Sequence, residues 1–155
     1  ALVGRLRPGG LMLIGLYSAV SRQVIQALSE DPDWPGPDAG DDELRAYRRT
    51  LMGGESGDDG SALAESPDFF TKSGFRDLAL HANERQCTIP EIRDFMAAHG
   101  IDFHGFSLPD DTLRDYADAF PGDGPSGTLE NWWTFEQANL RTFAGMYLFW
   151  CRKPD

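Results

Sequence analysis

The sequence predicts an α/β fold, with a partial doubly wound sheet of about three strands flanked by helices. Three apolar segments of strand length, at 11–17, 101–106 and 144–151, are separated by segments whose apolar residues recur at helical spacing. In the first of them nearly every residue is apolar, which is typical of a strand covered by helices on both faces. Strands that alternate with helices are the pattern of a doubly wound sheet.

A proline-glycine turn precedes the first strand. It spans residues 7–10, where proline fixes one φ angle and two consecutive glycines permit positive φ. After the strand, apolar residues at the spacing of one helix face predict a helix over 18–29. Residues 31–65 are rich in proline, glycine and acidic side chains, with one short helical pattern at 42–52. We predict that 31–65 is a mobile insertion or connector within a single domain of residues 1–155.

The second half of the chain carries local signals for the ends of a helix. Thr88 stands where an N-cap is expected, Glu91 follows three residues later as in a capping box, and Gly100 is placed to end the helix. We therefore predict a helix between Thr88 and Gly100. Further helices are expected at 75–80, 112–120 and 129–143.

Composition limits the classes of partner. The chain of 155 residues is 41% hydrophobic, enough for a folded core, and its formal net charge is -11. Such a charge repels phosphate backbones and anionic lipid headgroups, so we expect neither nucleic acid nor membrane as a partner. No apolar segment approaches the roughly 20 residues of a spanning helix. We expect a cytoplasmic protein with no metal site, whose Cys87 and Cys151 are buried free thiols.

Three segments of the sequence resemble one enzyme family. Residues 6–18 combine a Leu-Arg-Pro-Gly-Gly turn with the apolar strand, residues 76–92 run from Arg-Asp-Leu through His and Arg to Thr-Ile-Pro, and residues 143–150 form an aromatic strand. The first is similar to the segment that leads into the fifth strand of class I S-adenosylmethionine-dependent methyltransferases, where a helix ends in such a turn. The second resembles a pattern in their bacterial members. The third resembles their last strand, which runs antiparallel to its neighbour.

The resemblance implies that the chain is the carboxyl-terminal, substrate-side portion of such a Rossmann-like methyltransferase. In the family, S-adenosylmethionine is held by a glycine-rich turn after the first strand and by an acidic residue that ends the second. Both elements would precede Ala1, so we expect the cofactor to be bound mainly by a segment absent from this chain, and the isolated chain to be inactive. Residues 122–127 match G-x-G-x-x-G in letters, but no strand precedes them, and we expect an ordinary loop there.

Methyl transfer requires that the methyl donor and the acceptor are aligned and that a protonated acceptor loses its proton. Two residues are candidates for these roles. Tyr17 would stand at the carboxyl end of the first strand, where ligands bind in doubly wound sheets, and could form a wall of the substrate site. The alternative is a tyrosine whose hydroxyl lies in water. His81 is a candidate proton acceptor, which the resemblance favours; the alternative is a histidine that fixes its loop by bonding a backbone carbonyl.

Arg85 and Trp132 are candidates for binding the methyl acceptor, whose identity the sequence leaves open. Arg85 could pair with a substrate carboxylate, or with a neighbouring acidic side chain in a structural ion pair. Trp132, Trp133 and Phe135 crowd one helical turn and cannot all face the core. Trp132 could therefore line a substrate cleft, and burial against the sheet or a partner is the alternative.

A second interpretation is a non-catalytic binding or dimerisation module derived from the same fold. It would use the edge of the strand at 11–17 and its aromatic side chains to associate with a partner or a second copy. A hydrolase is disfavoured because the sequence has neither a Gly-x-Ser-x-Gly motif nor a zinc-type histidine pair. An upstream strand with a glycine-rich turn would favour the enzyme, and a start codon near Ala1 would favour the module.

Overall fold

The chain divides into two compact units in the computed structural model, which describes residues 2–53, 67–80, 85–143 and 146–155. The sheet unit comprises residues 1–21 and 85–155, and the helical unit comprises residues 22–84.

A sheet of four strands forms the centre of the described part of the sheet unit. The strands are β1 (Leu11–Ser18), β2 (Gln86–Cys87), β3 (Asp102–Phe106) and β4 (Met146–Arg152), in the spatial order β2-β1-β4-β3. β4 runs antiparallel to both β1 and β3, whereas β1 and β2 are parallel. The α/β class and the antiparallel last strand are confirmed. The expected number of about three strands is corrected to four, because β2 has two residues and carries no hydropathy pattern.

Six α-helices occur in the described residues. They are α1 (Gln23–Ser29), α2 (Asp41–Met52) and α3 (Lys72–Ala79) in the helical unit, and α4 (Ile89–His99), α5 (Asp110–Ala119) and α6 (Leu129–Ala138) in the sheet unit. None of the described helices combines the length and the apolar character that crossing a bilayer requires.

Both ends of α4 follow the local sequence signals, as predicted. The Thr88 side chain accepts a hydrogen bond from the backbone N–H of Glu91, and the Glu91 carboxylate accepts one from the N–H of Thr88 at 2.7 Å. This is a reciprocal capping box. Gly100 ends the helix at φ 58°, in the left-handed region that favours glycine.

Two other helices are shorter than their apolar patterns predicted. The helix expected over 18–29 begins at Gln23, because Ser18 still belongs to β1 and a turn occupies the residues between them. The helix expected over 129–143 ends at Ala138, because Asn139 leaves the helical region with φ -135°. In both cases the apolar side chains beyond the helix belong to strands and turns.

One face of β1 is less covered than the sequence predicted. Met12, Ile14 and Leu16 alternate toward the core and pack against it. Leu11 and Leu13 point to the other face and are 56% and 44% exposed. The expectation of a strand covered by helices on both faces is therefore wrong for the described residues. The sheet resembles an antiparallel one, in which one face packs against the core and the other does not.

Aromatic side chains dominate the core of the sheet unit. The ring of Phe106, on β3, lies within 4.6 to 6.0 Å of five other ring centroids. Those rings belong to Phe103, Trp132, Phe143, Tyr147 and Phe149. Most of these contacts are edge-to-face, the arrangement that aromatic pairs prefer. The core therefore joins β3, β4 and α6.

A second, smaller core lies in the helical unit. α2 buries Leu44, Tyr47 and Leu51 along one face, at the spacing of an amphipathic helix. Phe69 and Phe75 pack in the same cluster, with ring centroids 5.5 Å apart. Within the predicted insertion, residues 41–52 form α2, and 54–66 lie outside the described residues.

Candidate functional site

Two of the four predicted site residues lie at the carboxyl end of β1. Tyr17 is half-buried and is paired with Met146 of β4 and with Gln86 of β2. Arg85 is exposed and immediately precedes Gln86. Arg85 thus lies one residue before the β2 residue that pairs with Tyr17, at the same end of the sheet. His81 lies outside the described residues, so its role stays a prediction.

Trp132 lies in the core of the sheet unit. It is 1% exposed and stacks on the ring of Tyr116, with centroids 3.6 Å apart and planes inclined by 13°. Its indole Nε1 donates a hydrogen bond to the carbonyl oxygen of Ser126 at 3.0 Å. Such a tryptophan fixes α6 against its neighbours. A direct role at a substrate surface stays a prediction.

A buried hydrogen-bond network lies at the carboxyl end of β1, and sequence reasoning missed it. The Ser18 hydroxyl donates to Oε1 of Glu136 at 2.9 Å. The Tyr147 hydroxyl lies 2.8 Å from Oε1 and 2.9 Å from Oε2 of the same carboxylate. All three residues are fully buried. The network joins the last residue of β1 to α6 and β4.

Local geometry explains why these three side chains meet. Ser18 and Leu16 lie on the same face of β1, and Leu16 is paired with Tyr147 in the antiparallel ladder. Glu136 follows Trp132 by four residues, so both occupy one face of α6 and point into the core. The Ser18 oxygen also accepts a hydrogen bond from the N–H of Ser21 at 3.1 Å, which fixes the chain where it leaves the strand.

Burial changes the proton affinity of this network. Desolvation raises the pKa of Glu136, and the hydrogen bonds from Tyr147 and Ser18 oppose that effect. Burial also raises the pKa of Tyr147. The observed partners of Glu136 are hydroxyl groups, which stabilise a carboxylate less than a cation does. Glu136 therefore holds its proton to higher pH than an ordinary glutamate.

The neighbouring strand β2 completes this end of the sheet. Cys87 is paired with Ser18, and its carbonyl oxygen accepts a hydrogen bond from the N–H of Ala19 at 2.8 Å. Cys87 and Cys151 are buried free thiols, as predicted. Beside β2, a groove of about 440 Å³ is lined by apolar side chains such as Ile14 and Phe149, with Arg85 among its polar residues.

The loop with the letters G-x-G-x-x-G has a structural role in helix capping. It connects α5 to α6, so no strand leads into it, in agreement with the prediction. Asp123 within the loop accepts hydrogen bonds from the Tyr116 hydroxyl, the Asn131 amide and the N–H of Thr128. These bonds, led by that of Tyr116, lower the pKa of Asp123 to about 2. They tie the loop to the beginning of α6.

No group of three or more metal-ligating side chains occurs among the described residues. No protein-family model matches the chain, and no curated protein matches it. The structure therefore defines a mixed α/β unit with a buried carboxyl network at one end of its sheet, and a separate helical unit.

Proposed function

We propose that this chain is the substrate-side, carboxyl-terminal portion of an S-adenosylmethionine-dependent methyltransferase. The observation that carries the proposal is the buried Ser18–Glu136–Tyr147 network at the carboxyl end of β1. In open, mostly parallel α/β sheets ligands bind beyond the carboxyl ends of the strands; here the only parallel pairing in the described sheet joins the carboxyl end of β1 to β2, which is where we place the site. Burying the Glu136 carboxyl group costs free energy, and the hydrogen bonds from Ser18 and Tyr147 offset part of that cost while they fix the strand end.

Two further features support the proposal. The turn, strand and final strand at 6–18 and 143–150 resemble those of class I methyltransferases, and β4 is antiparallel to both of its neighbours, as the resemblance implies for the last strand. The described residues contain no glycine-rich turn between a parallel strand and a helix of the kind that binds a nucleotide cofactor. As the resemblance implies, we assign the cofactor mainly to residues outside this chain.

In this proposal the chain's own residues position the acceptor. Methyl transfer from a sulfonium is an in-line displacement, in which the acceptor bonds to the methyl carbon as the carbon-sulfur bond breaks. Glu136 fixes Ser18 and thereby the strand end that carries Tyr17, which forms a wall of the acceptor site. Arg85 is available for an anionic group of the acceptor, and His81 remains the candidate for accepting a proton.

Binding of S-adenosylhomocysteine, the reaction product, tests this function without knowledge of the acceptor. The protein expressed from its full natural reading frame and the 155-residue chain would be titrated in parallel by calorimetry. We expect micromolar binding by the product of the reading frame and none by the chain at millimolar ligand. Absence of binding by both would contradict the methyltransferase assignment, and micromolar binding by the chain would contradict the assigned location of the cofactor site.

The exposed face of the sheet favours a second candidate function, a binding or dimerisation module. Leu11, Leu13, Met146 and Trp150 are exposed large apolar side chains, and the pairing of β1 with β4 places them on one face. A module that self-associates through this face should be dimeric by light scattering and monomeric after Leu13→Glu. A monomer mass that is independent of concentration would contradict self-association.

A further inference from the structure

The apolar groove beside β2 lies between one face of β1 and helix α4. Its volume of about 440 Å³ is within the range of pockets that hold small molecules. Met12, Ile14 and Leu16, which alternate along β1, line one wall, and Ile92 and Phe95, three residues apart on α4, line the other. All five residues belong to the sheet unit, so the groove is built within one compact unit.

The shortness of β2 explains why the groove is open. β2 pairs with β1 only at Tyr17 and Ser18, so no described strand lies beside residues 11–16 on that side. The three side chains of β1 that line the groove are therefore half-buried, whereas Phe149 beneath them is fully buried. An apolar molecule that covers this surface removes it from water, which is favourable.

Arg85 gives one end of the groove a positive charge. It precedes β2, lines the groove and is exposed, and the structure shows no ion pair or hydrogen bond of its side chain within the described residues. The carboxylate of the groove, Glu91, is engaged in the cap of α4, where its Oε2 accepts hydrogen bonds from the N–H and the hydroxyl of Thr88 at 2.7 and 2.9 Å. Those bonds, and then the charge of Arg85, lower the pKa of Glu91. The N–H donors of Arg85 are thus left for a ligand.

We propose that the groove binds an apolar carboxylic acid, whose aliphatic chain lies between β1 and α4 and whose carboxylate pairs with Arg85. The wall from Met12 to Leu16 is about 13 Å long, which suits a chain of medium length. Binding of the acid does not depend on the proposed function. Because Arg85 also belongs to the proposed acceptor site, the acid is the class of methyl acceptor if that function holds.

The net charge of the protein makes the sign of the ligand charge a sharp test. At a formal net charge of -11 the whole molecule repels an anion and attracts an ammonium, so a preference for the acid requires a local cation in the groove. The 155-residue chain would be titrated by calorimetry with octanoate, 1-octanol and n-octylammonium at constant ionic strength. We expect saturable binding of octanoate, at least about five-fold tighter than that of the other two. Equal or tighter binding of the alcohol or the ammonium would overturn the proposal.

Methionine methyl groups distinguish the groove from the other apolar surface of the sheet. Met12 lines the groove, whereas Met146 is 41% exposed on the opposite face, beside Leu11 and Leu13. In a protein with labelled methionine methyl groups, octanoate is expected to shift the nuclear magnetic resonance signal of Met12 and leave that of Met146 in place. A shift of Met146 without one of Met12 would assign the binding to the exposed face and overturn the proposal.

Matched variants test the pairing with Arg85. Arg85→Gln is expected to weaken octanoate binding about ten-fold and to leave the binding of 1-octanol unchanged. The control, Arg114→Gln, removes the same charge from an exposed position on α5 of the same unit and is expected to change octanoate binding less than about two-fold. Equal losses in the two variants would mean that general charge and not Arg85 binds the acid. Far-UV circular dichroism of each variant establishes that the helices are retained.

The same titration of the product of the full reading frame shows whether the groove is open in the whole protein. We expect octanoate to bind that product with an affinity within about three-fold of that of the 155-residue chain. Loss of octanoate binding there would mean that another segment fills the groove, and would overturn the proposal. The titration needs no cofactor, so its failure is separate from a failure to bind S-adenosylhomocysteine.

Discussion

Among single residues, Glu136 is the one whose burial most requires hydrogen-bond partners. Its carboxyl group is fully buried, and removing such a group from water costs free energy unless its oxygens are bonded. Ser18 and Tyr147 provide those bonds from β1 and β4. The side chain thus couples one end of the sheet to α6, and its loss should affect stability as well as the site.

Replacing Glu136 by leucine is expected to lower the free energy of unfolding by about 2 kcal/mol, because two buried hydroxyls lose their acceptor. Urea unfolding followed by circular dichroism measures the change. Gln137→Leu, at the exposed adjacent position, is the control and should stay within about 0.5 kcal/mol of the natural protein. A loss for Glu136→Leu no greater than that of the control would contradict the network.

The raised pKa of Glu136 predicts a pH dependence of stability. Because the folded state holds this proton more tightly than the unfolded state, the contribution is fully present below the ordinary carboxyl pKa of about 4.3 and is lost as pH rises through the folded value. Relative to Glu136→Gln, the natural protein should therefore lose stability as pH rises from 4 toward neutrality. Parallel stability curves for the two proteins would contradict a raised pKa.

The contribution of Asp123 to stability should change with pH in the opposite direction. Its pKa is lowered to about 2, so its contribution is present above the ordinary aspartate pKa of about 3.9 and is lost as pH falls toward 2. The stability difference between the natural protein and Asp123→Asn should shrink over that interval. Thermal unfolding at a series of pH values measures it, and a difference that is constant with pH would argue against the bond from Tyr116.

The sequence allowed some of these residue roles to be predicted and not others. The ends of α4 follow from neighbouring residues, so Thr88 and Gly100 were identified correctly. Ser18 and Glu136 are 118 residues apart, and no local pattern links them. A hint was present within α6, because the spacing of Glu136 from Trp132 places a carboxylate on an aromatic face.

At the scale of elements, helix α4 depends on local interactions that can be tested separately. Thr88→Ala should lower the free energy of unfolding by about 1 kcal/mol, since the N–H of Glu91 loses its acceptor. Thr88→Ser keeps the hydroxyl and should recover most of that loss. Equal destabilisation by alanine and serine in denaturant unfolding would mean that the cap contributes little and that the threonine methyl group matters instead.

The bounds of three strands were predicted closely, but the exposure of β1 and the existence of β2 were not. The apolar residues of β1 suggested two covered faces, yet Leu11 and Leu13 lie on an exposed face. β2 contains only Gln86 and Cys87, too few residues for an alternating pattern. Its existence depends on pairing with the end of β1, which is a tertiary interaction.

At the scale of the whole molecule, the sequence predicted the α/β class and an antiparallel final strand, both of which the sheet confirms. The position of β4 between β1 and β3 depends on pairing between distant segments and could not be read from local patterns. The division into two units also depends on which residues contact one another in the folded chain, and local sequence patterns do not contain that information. Methyl transfer remains a proposal, which rests on the resemblance and on the fixed end of β1.

The central claim is that the full protein is a methyltransferase whose cofactor is bound mainly outside these 155 residues, while the carboxyl end of β1 serves the acceptor. Its most direct test is calorimetric titration with S-adenosylhomocysteine of the full reading-frame product and of its variants Tyr17→Ala and Leu11→Ala, since both residues lie on one face of β1, at opposite ends. We predict micromolar binding by the full product and less than about two-fold change in either variant. No binding by the full product, or a loss of about ten-fold or more in Tyr17→Ala, would contradict the claim.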